Sequence, residues 1–131
     1  MLNSRLITIA VTLALGAIAL TIAPFASAKN GPGVRVNGSC TQNSAAKLKL
    51  SREDSGVEVE FEVDQNRNGQ PWNVTLKHNG SVFFSGQRTT QAPSGSFSVT
   101  KFTANSAGTD TIVGKAVNPK TGEVCKGTIN F

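Results

Sequence analysis

Apolar and acidic residues alternate without a slip over Val57-Glu58-Val59-Glu60-Phe61-Glu62-Val63-Asp64. A period of two is that of a strand with one wet face. Val57, Val59, Phe61 and Val63 are therefore expected to point inward and the four carboxylates outward. Shorter alternating runs recur in Ala46-Lys47-Leu48-Lys49-Leu50 and in Trp72-Asn73-Val74-Thr75-Leu76. No stretch of useful length carries the period of an amphipathic helix, and there are no internal repeats.

Turn signals divide the chain between these runs. Val34 to Cys40 reads as a first strand, with Val34 and Val36 on one face. Residues 41–45 form a loop, and Arg52 to Gly56 reverse the chain. Pairing across that reversal is expected to set Lys49 opposite Glu58 and Lys47 opposite Glu60. Each such pair on a wet face contributes a few tenths of a kcal/mol. Residues 65–70 turn the chain again, and Pro71 opens the next strand, where a missing N–H is tolerated. At His78-Asn79-Gly80 a three-residue turn with Gly80 in the left-handed conformation buries more apolar surface than a two-residue turn would. It sets Val82 opposite Leu76 and Phe84 opposite Val74, and it leaves Phe83 outward. Residues 87–95 read as a polar loop. Phe97, Val99 and Phe102 mark a strand with a bulge near Lys101. Residues 105–109 form a loop, and Asp110–Val117 and Glu123–Phe131 are the last two strands, joined by residues 118–122. The expected fold is all-β: an antiparallel sandwich of seven to eight short strands.

The amino-terminal segment changes the setting of that domain. Arg5 precedes an apolar run from Leu6 to Ile22, and Ala26-Ser27-Ala28 offers small residues where a signal peptidase reads. The pattern predicts a signal-peptide helix over 1–28, cleavage before Lys29 and a single secreted domain over 29–131. An uncleaved membrane anchor is the alternative, since the run is long for a leader. Export implies an oxidising compartment, so the only two cysteines, Cys40 and Cys125, are expected to pair. The closed loop is long, and the chain-entropy estimate gives the bridge roughly 4.5 kcal/mol.

Without the first 28 residues the chain keeps 12 basic and 8 acidic side chains, a net charge of +4. That balance favours weak attraction to anionic polymers. The Lys and Arg are scattered and do not interleave with aromatic residues, which argues against nucleic-acid binding. After leader cleavage no membrane association is expected.

Candidate chemistry is sparse. Asp64-x-Asn66-x-Asn68-Gly69 matches the opening of a calcium loop, with oxygen side chains at alternate positions and a Gly for the bend. The loop's twelfth position is Thr75, where a bidentate Glu belongs, and Arg67 adds a positive charge. A plain hairpin turn uses the same residue types. His78, the only histidine, is expected to be exposed beside its turn. There is no Gly-x-Ser-x-Gly elbow, no zinc spacing and, with both cysteines paired, no thiol nucleophile. An enzyme is not expected, and no cofactor is implied beyond the calcium reading. Phe83, Arg88, Thr89, Thr90 and Pro93 are the candidates for a contact surface.

The run Ser106-Ala107-Gly108-Thr109-Asp110-Thr111-Ile112-Val113-Gly114-Lys115-Ala116 resembles the penultimate strand of bacterial immunoglobulin-like domains, where Gly-x-Asp precedes an alternating strand. In that alignment Val57–Asp64 falls on the second strand and Trp72 on the third, where such domains often keep a core Trp. The inter-sheet cysteine positions of the family fall around Phe61 and Gly114. The two cysteines would instead tie the first strand to the last. The chain is also similar to short secreted proteins of actinobacteria with no established activity. The resemblance implies a fold and no function. The expected role is a non-enzymatic binding module outside the cell, its partner an extracellular protein or a cell-wall polymer. The alternatives are a protease inhibitor presenting residues 87–95 and a small-ligand carrier.

Overall fold

The alternating runs all become strands in the computed structural model, which describes residues 32–131. The expected signal-peptide helix over 1–28 lies outside the described residues. The strands are β1 (Val34–Asn37), β2 (Ser39–Cys40), β3 (Ala45–Glu53), β4 (Gly56–Asp64), β5 (Pro71–His78), β6 (Ser81–Thr89), β7 (Ser96–Ala104), β8 (Thr111–Val117) and β9 (Val124–Asn130). They build two antiparallel sheets, β1-β3-β4-β7 and β2-β9-β8-β5-β6. Their apolar faces meet as a β-sandwich.

The described residues hold one strand more than expected because Val34–Cys40 breaks at Gly38. Before the break the chain pairs with β3, and after it with β9 in the other sheet. The Gly38 N–H makes the last bond of the β1–β3 register, donating to the carbonyl of Ala46 at 2.8 Å, and beyond it the chain crosses to β9. Cys40 then lies directly opposite Cys125 and is bonded to it, closing the two ends of the domain.

The core is the set the period of two selects. Leu48, Leu50, Val57, Val59, Phe61 and Val63 come from the first sheet, and Trp72, Val74, Leu76, Ile112 and Ala116 from the second. Phe97 and Val99 of β7 join them, with the Phe97 ring centroid 6.2 Å from that of Trp72. Full burial of each large aliphatic side chain contributes about 1.5–3 kcal/mol before entropy is charged against it.

Two hairpins take registers other than those expected. β3 runs on to Glu53 and turns through Asp54-Ser55 alone, so Lys49 faces Glu60, Lys47 faces Glu62 and Ser51 faces Glu58. The displacement is two residues, which leaves every side chain on its expected face. At the second hairpin the turn is the two-residue one: Asn79 and Gly80 both have positive φ, 49° and 84°, as a mirror-image turn requires. Val82 therefore faces Lys77 and not Leu76, and a bulge at Phe83 sets Phe84 opposite Leu76 and Gly86 opposite Val74. The bulge turns Phe83 toward the core, where it is half-buried, and Val82 is left 55% exposed. The expectation of an outward Phe83 is thereby corrected.

The other differences lie on the open side of the sandwich. Residues 87–89 continue β6 rather than forming a loop. The β4–β7 register runs unbroken from Gly56↔Ala104 to Asp64↔Ser96, so there is no bulge near Lys101, and Phe102 faces outward at 53% exposure. Lys101 keeps the inward phase of Phe97 and Val99. Its ammonium sits 4.9 Å from the Phe84 ring centroid, and the Arg88 guanidinium sits 5.1 Å from the same ring. These contacts cover the gap between the two edge strands.

Candidate functional site

The outer face of the β2-β9-β8-β5-β6 sheet carries the most distinctive chemistry. Across adjacent strands, Ser85, Thr75, Lys115, Lys126 and Ser39 stand opposite one another in one row. Lys77, two residues along β5 from Thr75, shares this face and stands opposite Val113. Thr75, Lys77, Val113, Lys115 and Lys126 line a shallow hollow of about 280 Å³. The three ammonium groups are exposed, and none makes an ion pair with a described residue.

The acids are elsewhere. Of the eight Asp and Glu, Glu58, Glu60, Glu62 and Asp64 lie on β4, Glu53 and Asp54 lie at the β3–β4 turn, and Asp110 and Glu123 are buried in loops. No acid faces the lysines. Like charges directly opposite on neighbouring strands destabilise a sheet, so the Lys115–Lys126 pair is a cost to the free domain that a bound anion would relieve. The outward phase of each lysine is readable in the sequence. Their convergence is not, since it depends on β8 lying between β5 and β9.

The candidate calcium residues sit in an ordinary hydrogen-bonded turn. The Asp64 carboxylate accepts the Asn66 N–H at 2.9 Å, and Asn66 has φ of 53°. Asn66 and Asn68 are exposed. The turn is stitched to the 90–95 segment: Gly69 N–H donates to the Thr90 carbonyl at 2.8 Å, and Gln65 N–H to the Gly95 carbonyl at 3.0 Å. Among the described residues the one cluster of three metal-type donors is Cys40, Cys125 and Glu123, and its two sulfurs are bonded to each other.

The candidate contact residues do not form one patch. Thr90 is 1% exposed, and its hydroxyl donates to the Arg67 carbonyl and accepts from Gln70 N–H at 2.9 Å. It pins two turns together and presents nothing to a partner. Arg88 lies over Phe84 and donates to the Gln87 carbonyl at 2.9 Å. Phe83 is turned in by its bulge, while Thr89 and Pro93 are exposed.

His78 is not exposed as expected: its side chain is 11% exposed. Nε2 donates to Asp110 Oδ1 at 2.8 Å, and Nδ1 lies 2.8 Å from the Thr103 hydroxyl. Asn79 and the Ser106 N–H also donate to the Asp110 carboxylate, at 3.0 and 3.3 Å. The three side chains come from β5, β7 and the β7–β8 loop, so the cluster ties the two sheets together at one end. Sequence separations of 25 and 32 residues hid it.

No protein-family model matches the chain, and no curated protein matches it.

Proposed function

We propose that this chain is a secreted, non-enzymatic binding domain with an immunoglobulin-like layout, which holds an anionic polymer of the cell exterior against its lysine-bearing sheet. The observation that carries the reading is the trio Lys77, Lys115 and Lys126 on a face with no acid. Three cations on a rigid sheet suit a ligand with repeating anionic groups, because each contact releases counterions and the contacts share one ordering cost.

The layout is supported by the strand orders. Taking β3, β4 and β7 as strands A, B and E, and β5, β6, β8 and β9 as C, C′, F and G, gives the neighbour relations of that fold. Trp72 then lies buried on strand C, and Phe61 and Gly114 occupy facing positions on B and F. Export is supported by the buried Cys40–Cys125 bond, which suits an oxidising compartment, together with the leader pattern of residues 1–28. The inhibitor alternative has less support: residues 87–89 are strand, and Gly95 N–H closes the following segment onto the Gln91 carbonyl at 2.8 Å. The carrier alternative meets a space between the sheets filled by Trp72, Phe61 and Phe97.

The test is retention on an immobilised glycerol-phosphate polymer over a salt gradient. The triple variant Lys77→Ser/Lys115→Ser/Lys126→Ser is expected to elute at markedly lower salt. Lys47→Ser/Lys49→Ser, on the opposite sheet, has the milder loss expected of net charge alone. Equal losses for the two variants would reject the lysine face as the binding site.

A further inference from the structure

At one end of the sandwich the β2–β3, β4–β5 and β8–β9 connections enclose a polar hollow of about 320 Å³. Its walls include Gln42, Asn43, Gln65, Asn66, Arg67 and Glu123. The walls are fixed from within. Glu123 is 2% exposed, and its carboxylate accepts the backbone N–H groups of Gln42 and Ser44, each at 3.0 Å, and the Ser44 hydroxyl. Gln42 Nε2 donates to the Thr121 carbonyl at 3.1 Å. Gln65 Oε1 accepts from the Trp72 indole at 3.0 Å and from Asn118 Nδ2 at 3.4 Å.

The Glu123 carboxylate, Gln65 Oε1 and the Thr121 carbonyl are thus engaged from within, and on Gln65 and Arg67 donors are left over. The two bonds to Gln65 Oε1 set the orientation of that amide, and Gln65 Nε2 donates to no described residue. The Arg67 guanidinium likewise bonds to none. Glu123 is the one negative charge on the wall, and three protein donors already meet it. A site with spare donors and a planar guanidinium selects a planar acceptor. We infer that this end hollow is a binding site for a carboxylate carried by a small extracellular molecule, with Arg67 making the forked contact and Gln65 Nε2 supplying a further donor. The site is separate from the lysine face and does not depend on the reading of that face.

Such a carboxylate has two sources outside a cell, a uronic acid and the carboxy-terminal end of a peptide. Amide-detected NMR titration of the 29–131 domain separates them, with glucuronate against glucose and N-acetylalanine against N-acetylalaninamide. The domain's dispersed spectrum first establishes that it is folded. Saturable shifts are expected at Gln42, Asn43, Gln65 and Arg67 for at least one carboxylate and not for its neutral counterpart. Gln65→Glu keeps the acceptor for Trp72 and Asn118 while removing the donor, and Arg67→Ala alters an exposed side chain. Each is expected to weaken binding at least tenfold, and Lys115→Ser is expected to leave it unchanged. No saturable shift at the hollow with either acid, equal shifts with the neutral partners, or unchanged affinity in both variants would overturn the assignment.

Discussion

The ring of Phe61 lies directly on the α-carbon of Gly114. A β-carbon built at Gly114 would stand 2.7 Å from Cδ2 of that ring. The two residues come from opposite sheets, β4 and β8, and each is buried. The contact puts an aromatic ring against bare backbone in the middle of the sandwich. Gly114→Ala is expected to lower stability by about 1–3 kcal/mol through overpacking. Phe61→Leu costs stability alone but is expected to recover part of the loss in the Gly114→Ala background. Urea unfolding of the two single variants and the double variant measures the coupling, and strictly additive costs would contradict direct contact.

His78 joins the sheets through two hydrogen bonds, one of them to the buried Asp110 carboxylate. His78→Ala removes a donor from that carboxylate, and the expected loss is about 2–3 kcal/mol. Thr103→Val keeps the shape and removes only the hydroxyl, so its loss is expected to be about 1 kcal/mol. Chemical denaturation of both variants ranks them, and a larger loss for Thr103→Val would reverse the assigned weights.

The lysine face predicts opposite signs for stability and binding. Lys115→Thr removes one of two like charges that stand directly opposite on β8 and β9. It is expected to raise stability by a few tenths of a kcal/mol at low salt and by less at high salt. The same substitution is expected to weaken retention on a phosphate polymer. Lower stability in the variant would contradict the like-charge cost, and unchanged retention would contradict a binding role for Lys115.

The Cys40–Cys125 bond closes a separation of 85 residues. Replacing both cysteines by Ala is expected to cost up to roughly 4.5 kcal/mol. Thermal unfolding of the oxidised protein and the double variant measures the loss, and the intact mass of the oxidised protein should lie below the reduced mass by two hydrogen atoms. Free thiols in the native protein would contradict the bond.

The core was legible in the sequence because the period of two is a local signal. Val57, Val59, Phe61 and Val63 could be placed inward from eight residues, and all four are fully buried. The cysteine pairing was legible because there was only one pair to make. Register was not. A shift of two residues leaves each side chain on its own face, so the pattern in Ala46–Leu50 and Val57–Asp64 fits Lys49↔Glu58 as well as the Lys49↔Glu60 that is formed. At Asn79-Gly80 the choice turned on a bulge at Phe83, which apolar pattern alone does not reveal. The sequence pattern places Glu123 at the opening of the last strand. It is buried because a loop some 80 residues earlier brings three donors to it, and only the folded chain supplies that partner.

The separation of charge between the two sheets gives the domain an electrical polarity. Six carboxylates belong to β4 and the β3–β4 hairpin and are offset only in part by Arg35, Lys47 and Lys49 of the same sheet, while Lys77, Lys115 and Lys126 stand, with no acid among them, on the far side of a sandwich whose sheets pack about 10 Å apart. A molecule built this way carries a dipole moment across its thin dimension. On the proposed binding to an anionic polymer, the field would turn it before it touches, with the lysine side toward the polymer and the β4 carboxylates toward the medium. Bound copies would then present a mixed, weakly negative outer layer, which attracts the lysine side of the next molecule only at low ionic strength. Coverage would build beyond one layer in dilute salt and stop at one layer when the salt is raised.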